Sequence, residues 1–183
     1  VSEVLIVFAN APFRWWISGG RALDLFVGRS WRTHVDTDVG VLRRDVPQLR
    51  TVIRSWDVQV AAAGILSTWQ GQVPDSEQHE NNLWCRKDSL QPWCLDVTIG
   101  EGDGEHWIYR RNPQIIADWK SAVLNSSDGI PYLAPEIQLL FKSKDIRDKD
   151  DTDAREVIPV LDVPRREWLL DRLPSEHPWR RIF

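Results

Sequence analysis

Apolar positions occur in short runs, with strand spacing in the first half and helical spacing in the last third. Val4–Ala11 reads as a short apolar helix, and Phe13–Ser18 is aromatic and β-prone, stopping at Gly19-Gly20. Ala22, Leu23, Leu25 and Phe26, followed by Gly28, predict a short helix over Arg21–Val27 closed by a glycine. Asp36–Arg43 alternates, with Thr37, Val39, Val41 and Arg43 on one face and Asp36, Asp38, Gly40 and Leu42 on the other. Asp45 is expected to cap a helix with Pro47 in its first turn, reaching about Trp56.

Asp57–Trp69 predicts one or two strands, Gln72–Asn82 an exposed polar connection, and Leu83–Lys87 with Trp93–Ile99 a strand pair. A turn at Glu101–Glu105 leads into His106–Arg110. Beyond Asn112-Pro113 the pattern becomes helical, over Ile115–Leu124, Ala134–Asp145, Asp150–Leu161 and Arg165–Leu173. The fold class expected is α/β (α+β): a mixed sheet flanked by helices over residues 1–112, followed by a helical C-terminal region over residues 113–183.

Composition narrows the class. The 183 residues, 42% hydrophobic and 27% charged, suit one globular core with an appendage and exclude a disordered chain. The longest apolar runs, Val4–Ala9 and Ala61–Leu66, fall short of the roughly 20 residues a membrane helix needs. The start carries Glu3 and lacks the pattern of a secretory signal, so a cytoplasmic protein is expected; with no methionine, the numbered chain begins after its initiator or is a fragment. A net charge of −4 disfavours a broad nucleic-acid footprint while leaving room for a local phosphate-binding patch. Cys85 and Cys94 can face each other across a hairpin, and two free thiols are the expected state; no histidine stands near enough to complete a zinc site.

The chemistry lies in an order: strand, Gly-Gly, helix, then a strand with carboxylates at i and i+2. Glycines let backbone N–H groups approach a polyphosphate, and the following helix adds its positive end. Asp36 and Asp38 project from one strand face and offer hard oxygen ligands suited to Mg²⁺. Asp96, in the otherwise apolar WCLDVTI, is the third carboxylate, able to bind metal or to take a proton from an attacking hydroxyl. Alone, Gly19-Gly20 is more often a turn, and two isolated aspartates more often surface residues. Asp96 shifts that balance, because a carboxylate inside an apolar strand needs a partner or a metal.

The stretch WWISGGRALDLFVGRSWRTHVDTDVGVLRRD, from Trp15 to Asp45, resembles the start of the antibiotic (aminoglycoside/lincosamide-type) nucleotidyltransferases of the polymerase-β superfamily. Asp24, Gly28, Arg32 and His34 fit the pattern, and PYLAPEIQLLFKS, with Glu136 and Lys142, and Lys149–Asp153 form a second match. The resemblance implies a nucleotidyltransferase core closed by the helical region, with Asp36, Asp38 and Asp96 holding Mg²⁺ and Asp96 serving as general base. It also implies that Gly19, Gly20, Arg21, His34, Lys142 and Lys149 bind the nucleotide. The reaction implied moves AMP from ATP, or a nucleoside monophosphate from another triphosphate, onto a hydroxyl of an aminoglycoside-like small molecule, with release of pyrophosphate. Arg21 and Thr37 depart from the family pattern, where tryptophan and an aliphatic residue are usual. Nucleotidyl transfer to RNA or protein, and a non-catalytic nucleotide-binding module, are the rival readings.

Several residues have plainer readings. Asp24 is expected to hydrogen-bond backbone, Lys142 to be either a solvated helix lysine or a phosphate ligand, and Glu136 to cap or pair within the helical region. His79, His106 and His177 are assigned no catalytic task. One of Trp15 and Trp16 is expected in the core, leaving the other free to line a pocket.

Overall fold

The computed structural model describes residues 2–183, with side chains from Val4 onward; Val1 and the Glu3 carboxylate lie outside the described residues. In chain order the elements begin with α1 (Ser2–Phe8), β1 (Trp15–Ile17), α2 (Gly19–Val27), β2 (Thr37–Leu42), α3 (Val46–Val52), β3 (Asp57–Ala62), β4 (Ile65–Thr68), β5 (Asn82–Arg86) and β6 (Leu95–Gly102). They continue with β7 (His106–Ile108), β8 (Ile116–Asp118), α4 (Trp119–Ala122), β9 (Val123–Asn125), β10 (Pro131–Leu133), α5 (Pro135–Lys142), α6 (Asp148–Val157) and α7 (Val163–Arg172). The fold is mixed α+β, as the alternation of patterns predicts.

The strands form one sheet in the order β4-β3-β5-β6-β2-β1-β10-β9, with β7 bridging β6 and β8. The pairs β2·β6 and β1·β10 are parallel and the others antiparallel. The two-residue period divides the sheet between two cores. Ile17, Val39, Val41, Leu83, Leu95, Val97 and Ile99 pack with α1 and α3 on one side. On the other, Trp16, Leu42, Trp107 and Trp119 pack with α5, α6 and α7 around Ile137, Leu139, Val157, Leu169 and Trp179. Trp16 is therefore the core tryptophan of its pair, while Trp15 packs on Phe8 with ring centroids 5.5 Å apart.

The helix predicted over Ile115–Leu124 is instead a strand, a single helical turn and a second strand. Neighbouring chain claims these residues: Ile116 and Asp118 pair with β7, and Val123–Asn125 with β10, which lies beside β1 in the main sheet. Tertiary pairing here overrides a local helical period. Asp45 occupies the cap position of α3 without a side-chain capping bond, and the helix ends at Val52 rather than near Trp56. Cys85 and Cys94 are not bridged to each other, the thiol state the sequence predicts. No helix of the described residues is long and apolar enough to cross a membrane.

Candidate active site

A cavity of about 710 Å³ opens between the sheet face that carries Asp38 and Asp96 and the helices α5 and α6. Asp38 and Asp96 are direct neighbours in the parallel β2·β6 register, and Trp84 on β5 stands opposite Asp96 on its other flank. Asn82 Nδ2 donates to both Asp96 oxygens at 2.9 Å. The Ser18 N–H donates to the Asp38 carbonyl at 2.9 Å, tying the glycine turn to the acidic strand.

That turn is glycine for a packing reason. Gly19 has φ +66°, and a Cβ there would lie 1.8 Å from Asp38 Oδ2; a Cβ on Gly20 would lie 2.1 Å from the Arg32 guanidinium and 2.5 Å from the His34 ring. The Gly19 N–H is already committed to Gln138 Oε1 on α5 at 2.8 Å, a bond across 119 residues.

Beside the carboxylates lies an ionic chain that runs from the cavity wall to the surface at Arg147. Asp24 Oδ2 and His34 Nε2 are 2.8 Å apart, and His34 Nδ1 is 3.2 Å from Arg32 Nη1. Arg32 donates bidentately to Asp153 from Nε and Nη2, both at 2.8 Å. Lys142 Nζ lies 2.7 Å from Asp150 and 3.0 Å from Asp153, and Arg147 Nε donates to Asp150 at 2.7 Å. Asp24 thus bonds a histidine side chain rather than backbone, and Lys142 is buried rather than solvated.

Gly19, Gly20, His34, Asp36, Asp38, Asp96, Lys142 and Lys149 all line the cavity. Arg21 is not among the lining residues; its Nε donates to the Asp36 carbonyl at 3.1 Å. Asp36 and Lys149 are exposed, Lys142 has both carboxylate partners already, and Glu136 pairs with Arg165 of α7 at 3.2 Å. His79, His106 and His177 do not line the cavity.

Electrostatics divides the carboxylates. Asp38 is raised to about 6 by burial and then by the Asp36 charge, against the pull of Lys142, Lys149 and Arg147. Asp96 is raised to about 7 by burial and then by the Asp38 charge, with the Asn82 hydrogen bond opposing. Asp150 is buried too, yet the hydrogen bonds from Arg147 and Lys142 overcome burial and hold it at about 2. Burial lowers His34 below the usual histidine value, with Asp24 opposing and Arg32 adding to the fall.

Among the described residues, no three His, Cys, Asp or Glu side chains form a ready-made metal cage. Asp38 and Asp96 nevertheless present adjacent hard oxygen donors, with no cation hydrogen-bonded to either among the described residues, and Asp36 lies just before β2. Such a donor set fits Mg²⁺, which keeps several waters and takes substrate oxygens beside one or two carboxylates.

Sequence reasoning missed Asn82, Trp84, Gln138, Arg147, Arg110 and Arg111 as lining residues. Asn82 and Trp84 reach the site through the β5·β6 register and Gln138 through the docking of α5, neither of which has a local signature. A polar Gln138 within the apolar run of α5 was the one available signal.

A family model described as aminoglycoside-2''-adenylyltransferase matches residues 1–65. No curated protein matches the chain by sequence. The crystal structure of the lincosamide antibiotic adenylyltransferase LnuA with lincomycin bound superposes with a TM-score of 0.58 at 18% identity, covering 87% of this chain and 95% of that one. The structure of ANT(2'')-Ia in complex with adenylyl-2''-tobramycin superposes with a TM-score of 0.62 at 14% identity, covering 92% and 91%. The chain is similar to the antibiotic nucleotidyltransferases: its residues 1–65 match a model from that group, and most of its length takes their fold.

Proposed function

We propose that this protein transfers a nucleoside monophosphate from a nucleoside triphosphate, with ATP as the working substrate, to a hydroxyl of a small antibiotic-like molecule. The observation that carries the reading is the in-register pair Asp38 and Asp96, beside a glycine turn where a Cβ would fall on the side chains of Asp38, Arg32 and His34. The family match over residues 1–65 and the shared fold support the same reaction class.

Asp36, Asp38 and Asp96 would hold Mg²⁺, which when bound offsets phosphate charge and stabilises the attacking and leaving oxygens. Asp96, held by both Asn82 hydrogen bonds on the cavity face of β6, is the carboxylate placed to serve as general base. It takes the proton as the acceptor O–H bond breaks; the oxygen bonds the α-phosphorus, and the bond to the bridging oxygen breaks to release pyrophosphate. Ser18 and Gly20 line the phosphate side, since the Gly19 N–H is spent on Gln138. Arg32, Lys142 and Arg147 stand against Asp24, Asp150 and Asp153, three cations to three carboxylates, so the ionic chain is formally balanced and holds its cations at the cavity wall. Lys149, exposed at the rim, adds a mobile charge.

Calorimetric titration of a non-transferable ATP analogue, with and without Mg²⁺, tests the reading on the native chain and on an Asp36→Asn, Asp38→Asn double variant. Binding that needs the metal and is lost in the double variant is the expected result. Binding indifferent to the metal and to both aspartates overturns the mechanism.

A further inference from the structure

The cavity continues beyond the carboxylates in a direction the reaction above does not use. Asp96, Thr98 and Gly100 share one face of β6, so the floor runs about 13 Å from carboxylate to glycine at roughly 3.3 Å per residue. Gly40 and Gly100 make room for the Trp16 indole, which lines this part of the cavity: a Cβ would fall 2.1 Å and 3.0 Å from its ring. Thr98 turns its hydroxyl to the Val39 carbonyl, so the middle of the floor is largely apolar.

At the far end, where β7 pairs with the last residues of β6, Arg110 and Arg111 line the cavity beneath α5. Both guanidinium groups lie against the Phe141 ring, 5.5 and 5.4 Å from its centroid, and Arg111 Nη1 donates to the Phe141 carbonyl at 2.7 Å. Among the described residues neither arginine has an ion-pair partner, and Arg110 makes no hydrogen bond. Glu101, the carboxylate nearest in sequence on β6, is engaged by Arg43 at 2.5 Å. Burial, and then the like charge of Arg111, lower the Arg110 pKa, the response of a cation lacking a counter-charge. The cavity's carboxylates lie elsewhere: Asp36, Asp38 and Asp96 at the opposite end, and Asp145 and Asp150 with Arg147 and Lys149 on or next to the α5–α6 connection.

We propose that Arg110 and Arg111 are an anion-recognition subsite for the acceptor, which is then a hydroxyl-bearing small molecule with an apolar body and a carboxylate, sulfate or phosphate at the end away from the reacting hydroxyl. This rests on the nucleotidyl-transfer reading, which places that hydroxyl at Asp96. Two unpaired guanidinium forks match planar or tetrahedral anions, and the Phe141 ring holds them in place. A polycationic acceptor would set its amines against two like charges, the half-buried Arg110 and the exposed Arg111.

A matched pair of planar probes tests the subsite: naphthalene-2-sulfonate and naphthalen-2-yl-trimethylammonium, titrated by calorimetry into the native protein saturated with Mg²⁺ and a non-transferable ATP analogue. The sulfonate is expected to bind at least tenfold more tightly than the ammonium, and that preference is expected to fall below twofold in Arg110→Gln, Arg111→Gln. Arg110→Gln alone breaks no described hydrogen bond, and a partial loss there of at least threefold carries the test if the double variant fails to fold. Equal or tighter ammonium binding, sulfonate binding unchanged in the variants, or displacement of the sulfonate by the ATP analogue overturns the subsite. If the analogue itself does not bind, the titrations are repeated without it: a persisting preference that the variants abolish supports the subsite and counts against nucleotidyl transfer alone.

Discussion

Asp150 and Asp153, buried on α6, and Asp38 and Asp96, half-buried on the sheet, are four aspartates at one cleft driven in opposite directions. The α6 pair meets Arg32, Lys142 and Arg147 in hydrogen-bond contact, and both groups fall below the ordinary carboxylate value. The sheet pair has each other, Asp36 and the Asn82 amide, and rises to about 6 and 7. Burial alone does not decide the charge of a carboxylate; the fixed cation beside it does. The α6 pair is a finished structural element joining the helices to the core, while the sheet pair holds charge that the protein itself leaves uncompensated.

The largest expected effect comes from breaking the finished side. Asp153→Ala strands Arg32 and Lys142 in a buried position, and urea unfolding is expected to show a loss of about 3–5 kcal/mol. A loss under about 1 kcal/mol would mean that the α6 pair is not the anchor described here.

Neutralising the unfinished side has the opposite sign. Asp96→Asn is expected to stabilise the metal-free protein by about 1–3 kcal/mol at pH 8 while removing metal-dependent nucleotide binding. The pH dependence follows. Asp38 and Asp96 hold protons in the folded state across the window from their unfolded values near 3.9 up to about 6 and 7, so folded stability declines as pH rises through that window. Asp150 and Asp153 are depressed, so their contribution is full above about pH 4 and is lost as pH falls toward 2. The melting temperature of the native chain minus that of Asp96→Asn should therefore fall from pH 5 to pH 8, a difference in which the depressed His34 cancels, and Mg²⁺ should flatten it. A difference flat in pH without metal would contradict the assignment.

A smaller effect is expected at the turn. Gly19→Ala forces a positive-φ alanine against Asp38 Oδ2, for a loss of about 1–3 kcal/mol and weakened nucleotide binding. Wild-type binding by that variant would show that the turn is not part of the phosphate site.

The contrast also explains what was legible in the chain. Asp36, Asp38 and Asp96 stood out because a two-residue period fixes which side chains share a face, and the glycine turn because its composition is local. Lys142 looked like a solvated lysine because its partners, Asp150 and Asp153, begin the next helix, and a charge-rich run does not announce which of its members turn inward. Ile115–Leu124 looked helical because its pairing partners, β7 and β10, lie on either side of it and act only once the sheet is assembled. Asn82, Trp84, Arg110 and Arg111 carry no local signature, since register and the course of β7 bring them to the cavity.

The most direct measurement is a carbon-13 NMR titration of the aspartate carboxyl groups, assigned through Asp38→Asn, Asp96→Asn and Asp150→Asn, from pH 2 to pH 9 with and without Mg²⁺. The account predicts that without metal the sheet pair titrates with midpoints near 6 and 7, while Asp150 titrates near 2. Adding Mg²⁺ with a non-transferable ATP analogue should pull the sheet pair below about 4 and leave Asp150 unmoved. Titration of all four aspartates together near 4, or a metal-induced shift at Asp150 instead of the sheet pair, would contradict it.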